Sequence, residues 1–135
     1  MQIVLCLDYS SNAKQVLVAS QNLLKEIKAP KITVIHITND ALFTGGTGFE
    51  PQLNEDLEND SSELKNLAIQ YLGKDIRYIE DHGIPRGKID DILSHMDYDL
   101  LVIGNHSKNL LGNRRLGAVA NHLLLNSSKP VLIIP

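Results

Sequence analysis

The residues best placed for chemistry stand just beyond two apolar runs. Asp8 closes the run QIVLCL, and Gly104, Asn105, His106 and Ser107 follow the run LLVI. Further on, Gly117, Ala118 and Val119 stand at a helix start, with the helix expected to open near Leu116. Backbone N–H groups gathered at the positive end of a helix, beside the carboxyl end of a strand, stabilise an anion. A protonated His106 would pair with such an anion, and Arg114 and Arg115 would clamp phosphate oxygens two at a time. Each residue also has a plainer reading. Asp8 can cap or tie the turn into the next helix, Gly104 can serve a tight turn, and His106, Arg114 and Arg115 can be solvated surface.

Several chemistries are excluded. The chain has no GxxxxGK[ST] loop, so it is not a P-loop NTPase. Ser10, Ser11 and the histidines form no nucleophile elbow, and no residue reads as a committed general base. His36, inside an apolar strand, reads as a hydrogen-bonded core histidine, and His82, His95 and His122 lack metal-ligand spacing. With a single cysteine, Cys6, there is neither an intrachain disulfide nor a cysteine metal cluster, and a buried thiol in a cytoplasmic protein is the expected reading.

The elements that must position these residues follow from patterning. The chain has 135 residues, 43% hydrophobic and 21% charged, with a formal net charge of −3. Such a chain holds one core, so residues 1–135 are read as one domain. The scattered Lys and Arg argue against a nucleic-acid surface, and no apolar run reaches membrane-spanning length. Gln2 to Leu7 reads as a strand, followed by a helix carrying Ala13, Val16, Leu17, Ser20, Leu23, Leu24 and Ile27 on one face and ended by Pro30. Lys31 to Ile37 is a second strand, and residues 38–51 form a long glycine-bearing loop. Leu53, Leu57, Leu64, Leu67, Ala68 and Tyr71 mark a second helix closed by Gly73, with Glu55, Asp56, Glu58 and Asp60 on its wet side. Asp75 to Glu80 alternates as an edge strand. A short helix anchored by Ile89, Ile92, Leu93 and Met96 leads to the LLVIG strand. The last helix buries Leu116, Val119, Ala120, Leu123 and Leu124, and Pro130 to Ile134 is the fifth strand. Strand and helix alternate throughout, which predicts an α/β three-layer sandwich on a doubly wound parallel five-stranded sheet, expected order 3-2-1-4-5. That order puts the topological switch point beside Asp8 and Gly104.

The pieces IVLCLDYS, VIHI, HGIPRGKI, DLLVIG, LGAVANHLL and KPVLII together resemble the small, single-domain universal stress proteins, along essentially the whole chain. The resemblance implies an adenine nucleotide alpha hydrolase-like fold. In the ATP-binding branch the loop after the fourth strand runs glycine, two residues, glycine, nine residues, glycine, then serine or threonine. Here Ser107 replaces the second glycine and Ala118 the hydroxyl residue, while the amides of Gly117, Ala118 and Val119 survive both changes. By the same likeness, Asp8 and the main chain near Cys6 and Ile37 would face an adenine. Gly104, Asn105, His106 and Ser107 would face the ribose and phosphates, and Gly117, Ala118 and Val119 the phosphates.

The expectation is a cytoplasmic stress-response module answering to ATP or another adenine nucleotide with Mg2+, or to a protein partner, with slow ATP hydrolysis at most. The alternatives are a stress protein that binds no nucleotide and acts through dimerisation and protein contacts, and an adenine-nucleotide enzyme on a similar sheet. The stretch Val131 to Ile134 is an unprotected apolar edge, so a homodimer pairing there is expected, centred on Val131 and Ile133 or on Leu132 and Ile134.

Overall fold

The structure is a computed structural model. It describes residues 1–8, 12–39, 51–105, 111–113 and 115–135; for 39 and 51–61 it describes the backbone. Nine elements follow one another: β1 (Gln2–Cys6), α1 (Ala13–Leu24), β2 (Lys31–Asn39), α2 (Pro51–Leu72), β3 (Arg77–Gly83), α3 (Pro85–Ser94), β4 (Leu100–Gly104), α4 (Ala118–Asn126) and β5 (Val131–Ile134). The sheet runs β3-β2-β1-β4-β5 with every pairing parallel, which is the expected order.

Parallel strands must bury both faces, and the side-chain alternation splits the core accordingly. On one face Ile3, Leu5, Val34 and Val102 meet Ala13, Val16 and Leu17 of α1 and Leu64 and Ala68 of α2. On the other, Val4, Cys6, Ile35, Leu101 and Ile103 meet Ile89 of α3 and Ala120 and Leu123 of α4. His122 Nε2 also lies 2.6 Å from Asp90 Oδ2, tying α4 to α3. Three layers result.

Several boundaries differ from the sequence reading. β1 ends at Cys6, although Leu7 still donates its N–H to Ile35 O at 2.9 Å. α1 stops at Leu24, because Glu26 and Ile27 donate to carbonyls three residues back, tightening the chain ahead of Ala29 at φ 49°. Ile27 packs on the core from that turn instead of from a helical face. β3 begins at Arg77 and runs on to Gly83, since β2 continues to Asn39 and offers it backbone partners that no apolar pattern advertises. α2 ends as expected on Gly73, at φ 97° with its N–H on Ile69 O. α4 opens at Ala118, and Leu116 and Leu124 are exposed instead of buried. Its buried stripe is narrow, with Ala120 and Leu123 the residues it buries against the sheet.

Candidate functional site

At the carboxyl ends of β1 and β4 the chain departs toward opposite faces of the sheet. That divergence opens a crevice between adjacent strands. Cys6 pairs in register with Ile35 on one side and Ile103 on the other, so Asp8 and Gly104 both emerge just beyond one level of the sheet. Ile37 lies two residues further along β2, in register with Asp81. The side chains of Cys6 and Ile37 are buried in the core on the α3 and α4 face, so only their main chain is left to meet a ligand. Burial pushes the Cys6 thiol up to about 12, which makes it an inert neutral group. Asp8 is exposed. His36 is buried, as expected, and its Nδ1 donates to Leu7 O at 3.0 Å, fixing the path of the chain as it leaves β1.

Gly104 has a packing reason to be glycine. A methyl group in place of its hydrogen would lie 2.5 Å from Val16 Cγ2, far inside van der Waals contact, so α1 reaches β4 only because Gly104 has no side chain. No turn requirement is involved.

Asn105 stitches the far side of the crevice together. Its N–H donates to Ile134 O at 2.7 Å. Its Nδ2 donates to Arg115 O at 2.8 Å, and its Oδ1 accepts the Gly117 N–H at 2.9 Å. Gly117 is the N-cap of α4, in extended backbone at φ −68°, ψ 164°, and it brings no side chain to cap the helix. The N–H groups of Ala118 and Val119 therefore face outward from the first turn without an intrahelical acceptor. Arg115 is exposed beside them. His106, Ser107, Arg114, Ser10, Ser11 and the loop 40–50 lie outside the described residues.

The structure thus brings Asp8, the Cys6 and Ile37 main chain, Gly104, Asn105 and the Gly117, Ala118 and Val119 amides to one end of the sheet. Asn105 is spent inside the protein. Its bracing role escaped the sequence reading because both acceptor and donor lie on the far side of the loop, where no local pattern points. Among the described residues no group of three or more His, Cys, Asp or Glu could hold a metal ion.

Sheet order, layers and an uncapped helix start at the switch point define a doubly wound α/β protein of the kind that takes its ligand outside the carboxyl ends of the strands. The universal stress protein family model matches residues 1–135, and the chain belongs to that family. Universal stress protein MJ0577 of Methanocaldococcus jannaschii is 25% identical over 150 residues, covering 94% of this chain and 90% of its own. Its solved structure superposes with a TM-score of 0.77 at 26% identity, over 98% of this chain and 94% of that one. UspA from Lactobacillus plantarum shares the fold at TM-score 0.71 and 18% identity, covering 100% and 97% of the two chains. A universal stress protein solved in complex with cAMP shares it at 0.68 and 19%, over 99% and 95%.

Proposed function

We propose that this chain is a cytoplasmic stress-response module that binds an adenine nucleotide at the switch point and signals by occupancy more than by turnover. The observation that carries the reading is the start of α4: two amides, Ala118 and Val119, lie at the positive end of a helix whose N-cap is glycine, beside the end of β4. A relative of the same fold holds cAMP, which supports the class of ligand. The residues fit a phosphate through main chain, and Ala118 offers no hydroxyl. Asp8 and the main chain at Cys6 and Ile37 would take the adenine end. A divalent cation, on this reading, arrives with the phosphates. Among the described residues no helix is long and apolar enough to cross a membrane.

The test is to purify the protein natively, denature it and assay released adenine nucleotide, then titrate ATP, ADP and AMP calorimetrically. Binding raises stability by about 2.7 kcal/mol at a hundredfold excess over Kd. No released nucleotide, together with no heat and no rise in Tm at millimolar ATP, refutes the reading.

A second reading concerns assembly. β5 is an outer strand paired to β4 alone, and its side chains are all apolar. The opposite edge strand, β3, carries Arg77, Glu80 and Asp81 and an Asp81–Lys88 ion pair. Val131 and Ile133 are packed toward α3 and α4, whereas Leu132 is 37% exposed. The proposed homodimer therefore pairs β5 with β5 of a second copy, with Leu132 at its centre.

A further inference from the structure

We propose that Asn105 is a positioning residue, holding the start of α4 against the end of β4 so that the Ala118 and Val119 amides stand ready for phosphate; this rests on the nucleotide reading above. The backbone of Asn105 is anchored first, by its N–H on Ile134 O of β5. From that fixed point one carboxamide uses a donor on Arg115 O and its acceptor on the Gly117 N–H, bracketing Leu116. Both partners are main chain, so these two bonds depend on the side chain at 105.

The consequence lies in which amides it occupies. A helix start leaves four N–H groups without intrahelical acceptors, and the usual Ser, Thr, Asp or Asn at the N-cap takes one belonging to the second or third residue of the first turn. Here the N-cap is Gly117, and Asn105 takes the Gly117 amide, which comes before that turn. The segment is held by two side-chain hydrogen bonds, yet the Ala118 and Val119 amides are not consumed by them. A phosphate arriving there meets donors already ordered, so its binding is not spent on ordering residues 115–117. Asn105 thus acts through Gly117, without itself needing to touch the ligand.

The experiment follows amide exchange at Gly117 by NMR and titrates the native chain and Asn105→Ala with ATP and with adenosine, which shares the base and ribose but lacks phosphates. In Asn105→Ala, Gly117 exchange should quicken and ATP affinity fall, each by about tenfold, the scale of one or two lost hydrogen bonds, with adenosine affinity unchanged. Should that variant fail to fold, Asn105→Ser, polar but too short to span both partners, should give the same split between ATP and adenosine. Native-like Gly117 exchange in the variant, an equal loss of ATP and adenosine, or tighter ATP binding overturns the proposal. A native chain that binds neither ATP nor adenosine instead refutes the nucleotide reading, and with it the phosphate half of this one.

Discussion

Gly104→Ala puts the close approach of α1 to β4 to a direct test. The added methyl would lie 2.5 Å from Val16 Cγ2, and ordinary contact begins at 3.4 Å, so the two groups must separate by roughly 1 Å. Val16 is 5% exposed and β-branched, so its methyls cannot simply rotate clear, and α1 itself must shift. Overpacking of this kind costs about 1–3 kcal/mol. The lost freedom of the unfolded chain returns about 0.4–1 kcal/mol, because Gly104 does not sit at positive φ. The net expectation is roughly 1–2 kcal/mol of destabilisation.

A double-mutant cycle isolates the cause. Val16→Ala alone removes two buried methyls and should cost roughly 2 kcal/mol. In the combined chain the nearest described atom to the new methyl is Val16 Cβ at 3.7 Å, and the methyl fills part of the space vacated. The double variant should therefore be more stable than the sum of the singles predicts by about 1–2 kcal/mol. Urea unfolding followed by circular dichroism, with m-values checked for constancy, measures all four corners. Strict additivity, or a Gly104→Ala chain as stable as the native one, would refute the argument and return Gly104 to being a turn or ligand residue.

Three further outcomes are expected. Because burial holds the Cys6 thiol near 12 against an ordinary 9.0, the folded state keeps a proton that the unfolded state sheds. Its contribution is therefore intact below pH 9 and is lost as pH rises toward 12, by up to about 1.4 kcal/mol per pH unit, and urea midpoints from pH 8 to 10.5 should show this slope vanish in Cys6→Ala. His36→Phe removes the donor to Leu7 O from a buried site and should cost about 1–3 kcal/mol in urea unfolding, with a loss under 0.5 kcal/mol counting against the tie. Leu132→Lys should shift sedimentation at micromolar concentration toward monomer, and a native chain that is monomeric at hundreds of micromolar would exclude β5 pairing, on the order of a −5 kcal/mol limit.

What the sequence made legible was whatever is written in contiguous apolar runs. Ile3 to Cys6 and Leu101 to Ile103 are buried, and all of VLII but Leu132 is half-buried, so the apolar composition of these runs marks them as strands. β3 reads from the sequence as Asp75 to Glu80 because Asp81, His82 and Gly83 carry no apolar signal, and backbone pairing to β2 extends it to Gly83 regardless. α4 is ambiguous in the opposite sense: Leu123, Leu124 and Leu125 stand at successive positions about 100° apart around the helix, and nothing in such a run tells which leucine meets the sheet. Leu123 does, while Leu124 and Leu125 face outward. Gly104 was legible as a special position but not for its reason, which is supplied by Val16 on another element.

That division bears on how the loop after β4 is to be read. Gly104 is required by the packing of α1, and Asn105 is required by the path between β4 and α4, so both would be needed in this fold with no ligand at all. Neither is evidence for a nucleotide. Among the described residues, the part of the loop that has no structural occupation is the pair of amides at Ala118 and Val119, together with the absence of a side-chain cap at Gly117, where a Ser or Asp would have stabilised α4 by only a few tenths of a kcal/mol. A helix start left uncapped beside a strand end forgoes stability, and an anion supplied from outside restores it. The change from a hydroxyl residue to Ala118 removes one further donor and leaves those amides untouched. Ala118→Ser should accordingly tighten ATP binding by no more than about tenfold, the worth of one hydrogen bond, measured by the same titration. A hundredfold gain, or binding that appears only in the Ser variant, would show that the main chain alone does not make the site.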